Sequence, residues 1–183
     1  MLCQFSSVVG KKNLRDVFDF PTDVYPVGRL DEDSEGLLIL TNDSRLNHVL
    51  LNPDKAHFRT YLVQVDGKID NHALEKLEDG LSINVKGKKI ITRKAKAKLI
   101  NDEPPVPDRF PPIRFRKNIP TSWIQLSLTE GKNHQVRKMT ASVGFPTLRL
   151  IRWKIENISA AEMKSGEVKE LSQQEIYSLL KIA

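Results

Sequence analysis

The tetrapeptide Gly28-Arg29-Leu30-Asp31 sets a carboxylate two residues from a guanidinium. In an extended backbone Arg29 and Asp31 share one face, and Leu30 anchors the other. A carboxylate beside a fixed cation stays ionised, which suits a nucleophile or a base better than a general acid. Surface ion pairs of this kind are common and worth only ~0–1 kcal/mol, so four residues alone do not define a site. Other chemistries are poorly represented. No Gly-x-x-x-x-Gly-Lys or Gly-x-Gly-x-x-Gly run exists to cradle phosphates. His48, His57, His72 and His134 lack metal-ligand spacing, so no metal is expected. The single cysteine, Cys3, can form neither an internal disulfide nor a thiolate cluster, and it sits at a terminus expected to fray. The reading is carboxylate chemistry with no cofactor.

Cations form the second chemical signal. Residues 104–154 hold ten Lys and Arg against two carboxylates, a local charge of +8, whereas the whole chain carries +6 with a pI near 9.4. Clustered cations release counterions from phosphates, so this half reads as a polyanion footprint; a solvated basic surface is the plainer alternative. The 183 residues fit one domain, and 39% apolar residues with a mean hydropathy of −0.38 suit a packed core. No apolar run approaches the ~18 residues of a membrane span. No basic segment precedes Val8 and Val9 as in a signal peptide, so a cytoplasmic chain with no membrane partner is expected.

Alternating strands and helices must position these residues. Leu37–Leu40 reads as a buried strand, followed by a helix capped by Asn42 or Asp43 and ended by Pro53. Thr60–Val65 is β-rich, and Asp70 caps a helix that Gly80 stops. Arg93–Leu99 alternates strictly, with Ala95, Ala97 and Leu99 on one face and Lys94, Lys96 and Lys98 on the other; the lysine row suits an edge strand. Residues 104–120 contain six of the ten prolines and read as a rigid basic loop or a linker. Ser122–Thr129 alternates again, Asn133 caps a helix stopped by Gly144, and Thr147–Ile155 is a strand. Ser172 and Glu175 form a capping box for the last helix, which buries Ile176, Leu179 and Leu180. The expected fold class is α+β, a mixed and mainly antiparallel sheet with helices packed on it.

The run from Gly28-Arg29-Leu30-Asp31 through Glu35-Gly36 to Asn42-Asp43 resembles the signature of one group of ribosomal RNA pseudouridine synthases, that of the small-subunit enzyme called A and the large-subunit enzymes called B, E and F. Three further motifs follow in that group's order: Thr60-Tyr61-Leu62-Val63, the segment Glu130–Met139 containing Gln135-Val136-Arg137, and Gly144-Phe145-Pro146-Thr147-Leu148-Arg149-Leu150. Pro111–Trp123 is similar to the branch that acts on large-subunit ribosomal RNA. The resemblance implies a catalytic aspartate at Asp31, an active-site tyrosine at Tyr61 and a basic partner for the aspartate at Arg137. Spacing offers Arg29 for that partnership as well. It also implies that Arg29 contacts RNA or fills the space the target base vacates, and the basic half is expected to grip RNA through Arg114, Arg116, Lys117, Lys132, Lys138, Arg149 and Arg152. A tyrosine on an alternating strand has a plain alternative, a core ring with a wet hydroxyl. The implied reaction detaches uracil at N1 and reattaches it through C5, consuming no cofactor, with ribosomal RNA as partner.

In that group a first strand with a Lys-Pro motif precedes the aspartate motif. Here it is expected to be missing, leaving residues 1–183 as one catalytic domain without an N-terminal RNA-binding domain. A monomer is expected. The competing reading is an RNA-binding or ribosome-assembly protein with a vestigial active site. A carboxylate glycosidase, with Glu32, Asp33 or Glu35 as second acid, ranks last because the +8 half suits no neutral sugar.

Overall fold

Two apolar clusters organise the chain in a computed structural model that describes residues 1–113 and 119–182. They correspond to two units, one formed by residues 1–57 and 152–183 and the other by residues 58–151.

In the first unit, β1 (Tyr25–Pro26) pairs antiparallel with β3 (Leu40–Thr41), and β2 (Glu35–Gly36) lies between them in sequence. The expected continuous strand over Leu37–Leu40 is therefore broken. Leu37 exchanges hydrogen bonds with Arg152, whereas the Ile39 carbonyl accepts from the Val27 N–H, so the two ends of the run serve different partners. Asp43, one of the two expected caps, starts α1 (Ser44–Leu51) by accepting from the Arg45 and Leu46 N–H groups. Leu46 and Leu50 of α1 pack with Val27, Leu37 and Ile39. Cys3 is buried, and the Leu2 N–H donates to the Lys12 carbonyl, so the terminus is tied down and does not fray as expected. Among the described residues before Tyr25, only an isolated Val8–Lys11 bridge and a 3-10 turn at Leu14–Asp16 are regular.

The second unit begins with β4 (Arg59–Asp66) and α2 (Asn71–Asp79), the latter capped by Asp70 as the sequence suggests. A hairpin the alternation did not reveal follows, β5 (Ser82–Val85) and β6 (Lys88–Ile91). Its two-residue turn, Lys86-Gly87, has φ of 51° and 81°, the double positive φ of a tight hairpin turn. Next come β7 (Lys96–Ile100), β8 (Thr121–Leu128) and α3 (Gln135–Ser142). β7 starts three residues later than the alternation suggests. The Arg93 N–H is taken by the Glu130 carboxylate and the Ala95 N–H by the Glu78 carbonyl, so neither joins a ladder. β8 pairs antiparallel with both neighbours, Tyr61 facing Leu126 and Leu126 facing Ala97. Alternation then puts Tyr61, Val63, Val65, Ile124, Leu126 and Leu128 on the face that packs with Leu74 and Leu77 of α2 and Val136 and Met139 of α3. The cap of α3 is His134, in a left-handed conformation (φ 50°, ψ 32°), and not Asn133.

β9 (Thr147–Ile155) matches the expected strand; it borders β4, which gives the order β9-β4-β8-β7 with β7 at the edge. Its last residues belong to the first unit, where Ile155 and Lys154 pair antiparallel with β10 (Ile158–Ser159). The Ser172–Glu175 capping box opens α4 (Gln173–Leu179), and Leu180 behind it is fully buried with Leu46, Leu50 and Ile155. The architecture is the expected α+β class with mainly antiparallel pairing. Among the described residues no helix is long and apolar enough to cross a membrane.

Candidate active site

Asp31 opens a tight turn in the first unit. The Ser34 N–H donates to the Asp31 carbonyl at 2.9 Å with Glu32 and Asp33 at the tip, and the Asp31 side chain is half-buried. Lys11 pairs with Glu32 at that tip. Arg29 is exposed, and residues 28–31 are irregular and not a regular strand. The turn is held on both sides. Before it, the Val27 N–H donates to the Ile39 carbonyl at 2.8 Å; after it, the Leu37 N–H donates to the Arg152 carbonyl at 2.9 Å and Arg152 Nε donates to the Leu37 carbonyl at 2.7 Å.

Gly36 makes that clamp feasible. Its φ is +103°, and a Cβ there would lie 2.8 Å from the Arg152 nitrogen and closer still to the Arg152 carbonyl oxygen. Only a residue without Cβ lets the two backbones approach this closely. The sequence reading missed this role for Gly36, although a glycine five residues after the aspartate was a visible signal.

Tyr61 and Arg137 belong to the second unit. Tyr61 sits on β4, its ring half-buried against the edge of the apolar cluster and its register partner Leu126 fully buried. Arg137 is half-buried on the first turn of α3, downstream of a polar cluster that fixes the preceding loop. Glu130, 7% exposed, accepts from Gln135 Nε2 at 2.7 Å and from the Arg93 N–H at 2.9 Å. Gln135 Oε1 in turn accepts from the Lys132 N–H. A carboxylate buried in this manner needs such donors. Glu130 and Gln135 tie down the loop before α3, a role that sequence reasoning did not assign to them although both lie in the motif; an acid five residues before the helix, inside the most basic segment, was the available sign.

The anticipated RNA-contact residues separate by burial. Lys132 is exposed, and Lys138 is half-buried with its Nζ donating to the Asn133 carbonyl, so both lie with Arg137 on one loop-helix segment. Arg149 and Arg152 are 6% and 4% exposed. Arg149 Nη2 donates to the Pro107 carbonyl, tying the proline-rich loop to the sheet, and Arg152 Nε donates to the Leu37 carbonyl, so one donor of each buried arginine serves the fold. Arg114, Arg116 and Lys117 lie outside the described residues.

Comparison with known proteins bears on what this arrangement does. The profile of the family described as RNA pseudouridylate synthase matches residues 9–142. Ribosomal large subunit pseudouridine synthase E of Vibrio parahaemolyticus is 45% identical over 170 residues, covering 93% of this chain and 69% of that protein. The protein of the same description from Xanthomonas campestris is 45% identical over 169 residues, covering 91% of this chain and 88% of its own length. A crystal structure described as a pseudouridylate synthase superposes with a TM-score of 0.75 at 28% identity, over 97% of this chain and 68% of that one. A family match over most of the chain, relatives at 45% identity and a shared fold agree, and the chain belongs to the RNA pseudouridylate synthase family of isomerising enzymes.

Proposed function

We propose that the protein converts a uridine of large-subunit ribosomal RNA to pseudouridine, with Asp31 as the catalytic carboxylate and no cofactor. The observation that carries the reading is the aspartate turn, a half-buried carboxylate on a backbone held on both sides by hydrogen bonds. Such preorganisation spares the reaction the work of ordering its catalytic group. The large-subunit substrate is the one named in the relatives' descriptions.

The isomerisation breaks the bond from N1 to the ribose and makes one from C5. The C5 proton leaves and N1 ends protonated, so atoms and electrons balance without an oxidant or reductant. Asp31 opens the glycosidic bond, by attacking the sugar or the base or by removing a ribose proton. Tyr61 lies against the uracil or accepts its C5 proton, and Arg137 supplies positive charge to the site. The reacting atoms are shielded within a helix, so the uridine must leave its stack, at least cost in a loop or single strand. Arg29, Lys132 and Lys138 contact phosphate, as do Arg114, Arg116 and Lys117 on the strength of sequence. The protein acts as a monomer in the cytoplasm.

Pseudouridine mapping of large-subunit RNA incubated with the protein tests this. The parent forms product at a defined uridine; Asp31→Asn forms none, and its RNA affinity stays within about twofold. Product from Asp31→Asn at the parental rate removes Asp31 from catalysis, and no product from the parent favours the binding-protein reading.

A further inference from the structure

Residues 86–98 hold seven cations and no carboxylate, whereas outside this stretch and residues 104–154 the chain has twelve cations against twenty-one carboxylates. The segment therefore stands out from an acidic frame. Lys86, Lys88 and Lys89 ride on the turn and return strand of the β5–β6 hairpin, and all three are exposed. Among the described residues, Lys86, Lys88, Lys89, Lys94 and Lys98 have no carboxylate at ion-pair distance. Their charge is left for something outside the chain.

The base of the hairpin is rigid. Ile83 is buried and packs with Ile90 on the apolar cluster; the Thr92 N–H donates to the Leu81 carbonyl, and Thr92 Oγ1 accepts from the Leu81 N–H. On β7, Lys96 and Lys98 project from the face opposite the core, beside their register partners Ser127 and Gln125. These four side chains, with Ala97 and Glu78, line a hollow of about 310 Å³. Glu78 Oε1 accepts from the Ala97 N–H at 2.9 Å, which directs this carboxylate to the strand backbone. Lysines two residues apart on a strand stand about 6.7 Å apart, close to the spacing of successive phosphates in an extended strand. Lys96 also caps the Phe58 ring at 4.8 Å, which restrains it.

Lysines on an edge strand also deter unwanted strand pairing. That need is reduced here, because Glu78 already occupies the outward N–H groups of Ala95 and Ala97, and the hairpin-turn lysines lie on a different strand pair. We propose that the β5–β6 hairpin and β7 form a second phosphate-binding surface for the RNA flanking the reacting nucleotide. The lysines supply charge, and the half-buried Gln125 supplies hydrogen bonds to phosphate or ribose oxygens, whereas the buried Ser127 hydroxyl is paired with Thr60. This rests on the proposed function for the identity of the RNA, but not for the binding itself.

The test measures affinity for a fluorescent single-stranded RNA of mixed sequence as a function of salt. The full chain is compared with the triple variant Lys86→Ala, Lys88→Ala, Lys89→Ala and with the double variant Lys96→Gln, Lys98→Gln. The control Lys12→Ala, Lys164→Ala, Lys169→Ala removes as much charge from the first unit. Each lost phosphate contact on a single strand lowers the salt slope by about 0.7. The hairpin variant is expected to lose at least one unit of slope and about tenfold in affinity, the strand variant a similar share per lysine, and the control little. Affinities and slopes of both test variants equal to the control's overturn the proposal, as does binding of this surface to anionic phospholipid vesicles but not to RNA. Pseudouridine mapping with the parent separates the two readings. Absent product with a lysine-dependent slope removes the proposed function and supports the surface; product with an unchanged slope removes the surface alone.

Discussion

Gly36 shows how a single residue without a side chain helps set the place of the aspartate proposed to react. Its backbone lies against Arg152, and the bonds from Arg152 to Leu37 close one side of the turn that bears Asp31. Gly36→Ala places a methyl into the Arg152 backbone at a positive φ that alanine rarely adopts. The expected cost is at least about 2 kcal/mol, read as a lower urea midpoint, accompanied by loss of pseudouridine formation because the turn no longer holds its shape. Wild-type midpoint and activity in this variant remove the clamp from the account. Motifs along the chain single out Asp31, Tyr61 and Arg137 as the candidates. The reason for Gly36 was not legible there, because the atoms it avoids lie more than a hundred residues away. Burial of Arg149 and Arg152 was hidden in the same way: their partners Pro107 and Leu37 are distant in sequence, and composition alone makes arginine a surface residue.

At the scale of elements, three of the four expected caps were read correctly, Asn133 being the exception, since each lies within three residues of its target. Asp43, Asp70 and the Ser172–Glu175 pair all cap as their types suggest. Asp43 also joins two helices: its carboxylate accepts from Tyr177 Oη at 2.6 Å and from Gln173 Nε2 at 3.1 Å. These bonds, led by the one from Tyr177, lower its pKa to about 2 from an ordinary 3.8. A depressed carboxylate stabilises the fold fully above its unfolded value and loses that contribution as pH falls through its folded one. Thermal stability is thus expected to drop between about pH 4 and pH 2, and Asp43→Asn to flatten that part of the profile; a profile unchanged by the substitution excludes Asp43 as the source. Elements whose limits depend on distant groups were read less well. The start of β7 is set by Glu78 and Glu130, and the left-handed His134 accompanies a loop pinned by Gln135. The β5–β6 hairpin escaped notice because its lysines interrupt the apolar alternation that marks a strand.

For the molecule as a whole, the first unit is built from both ends of the chain and the second from one continuous stretch. Leu180, fully buried, brings the C-terminal segment into the core of the N-terminal one. Leu180→Ala is expected to cost about 2–5 kcal/mol. Hydrogen exchange should then quicken first in residues 25–51 and 152–180, before β4 and β8; uniform quickening across both units counts against this division. Fold class was readable from alternation and capping, whereas the two-unit division was not, because contacts that join termini leave no periodic mark on a sequence.

The same clamp imposes an order on the making of the protein. Leu37 leaves the ribosome 115 residues ahead of Arg152, an interval of roughly 6–23 s at ordinary rates of synthesis. Throughout that interval the aspartate motif exists as chain without its far anchor. A nascent polypeptide halted before Arg152 carries Asp31, Tyr61 and Arg137 but not the bonds that fix the aspartate turn, so the turn takes its final shape late in translation, after all three residues proposed for catalysis have been made.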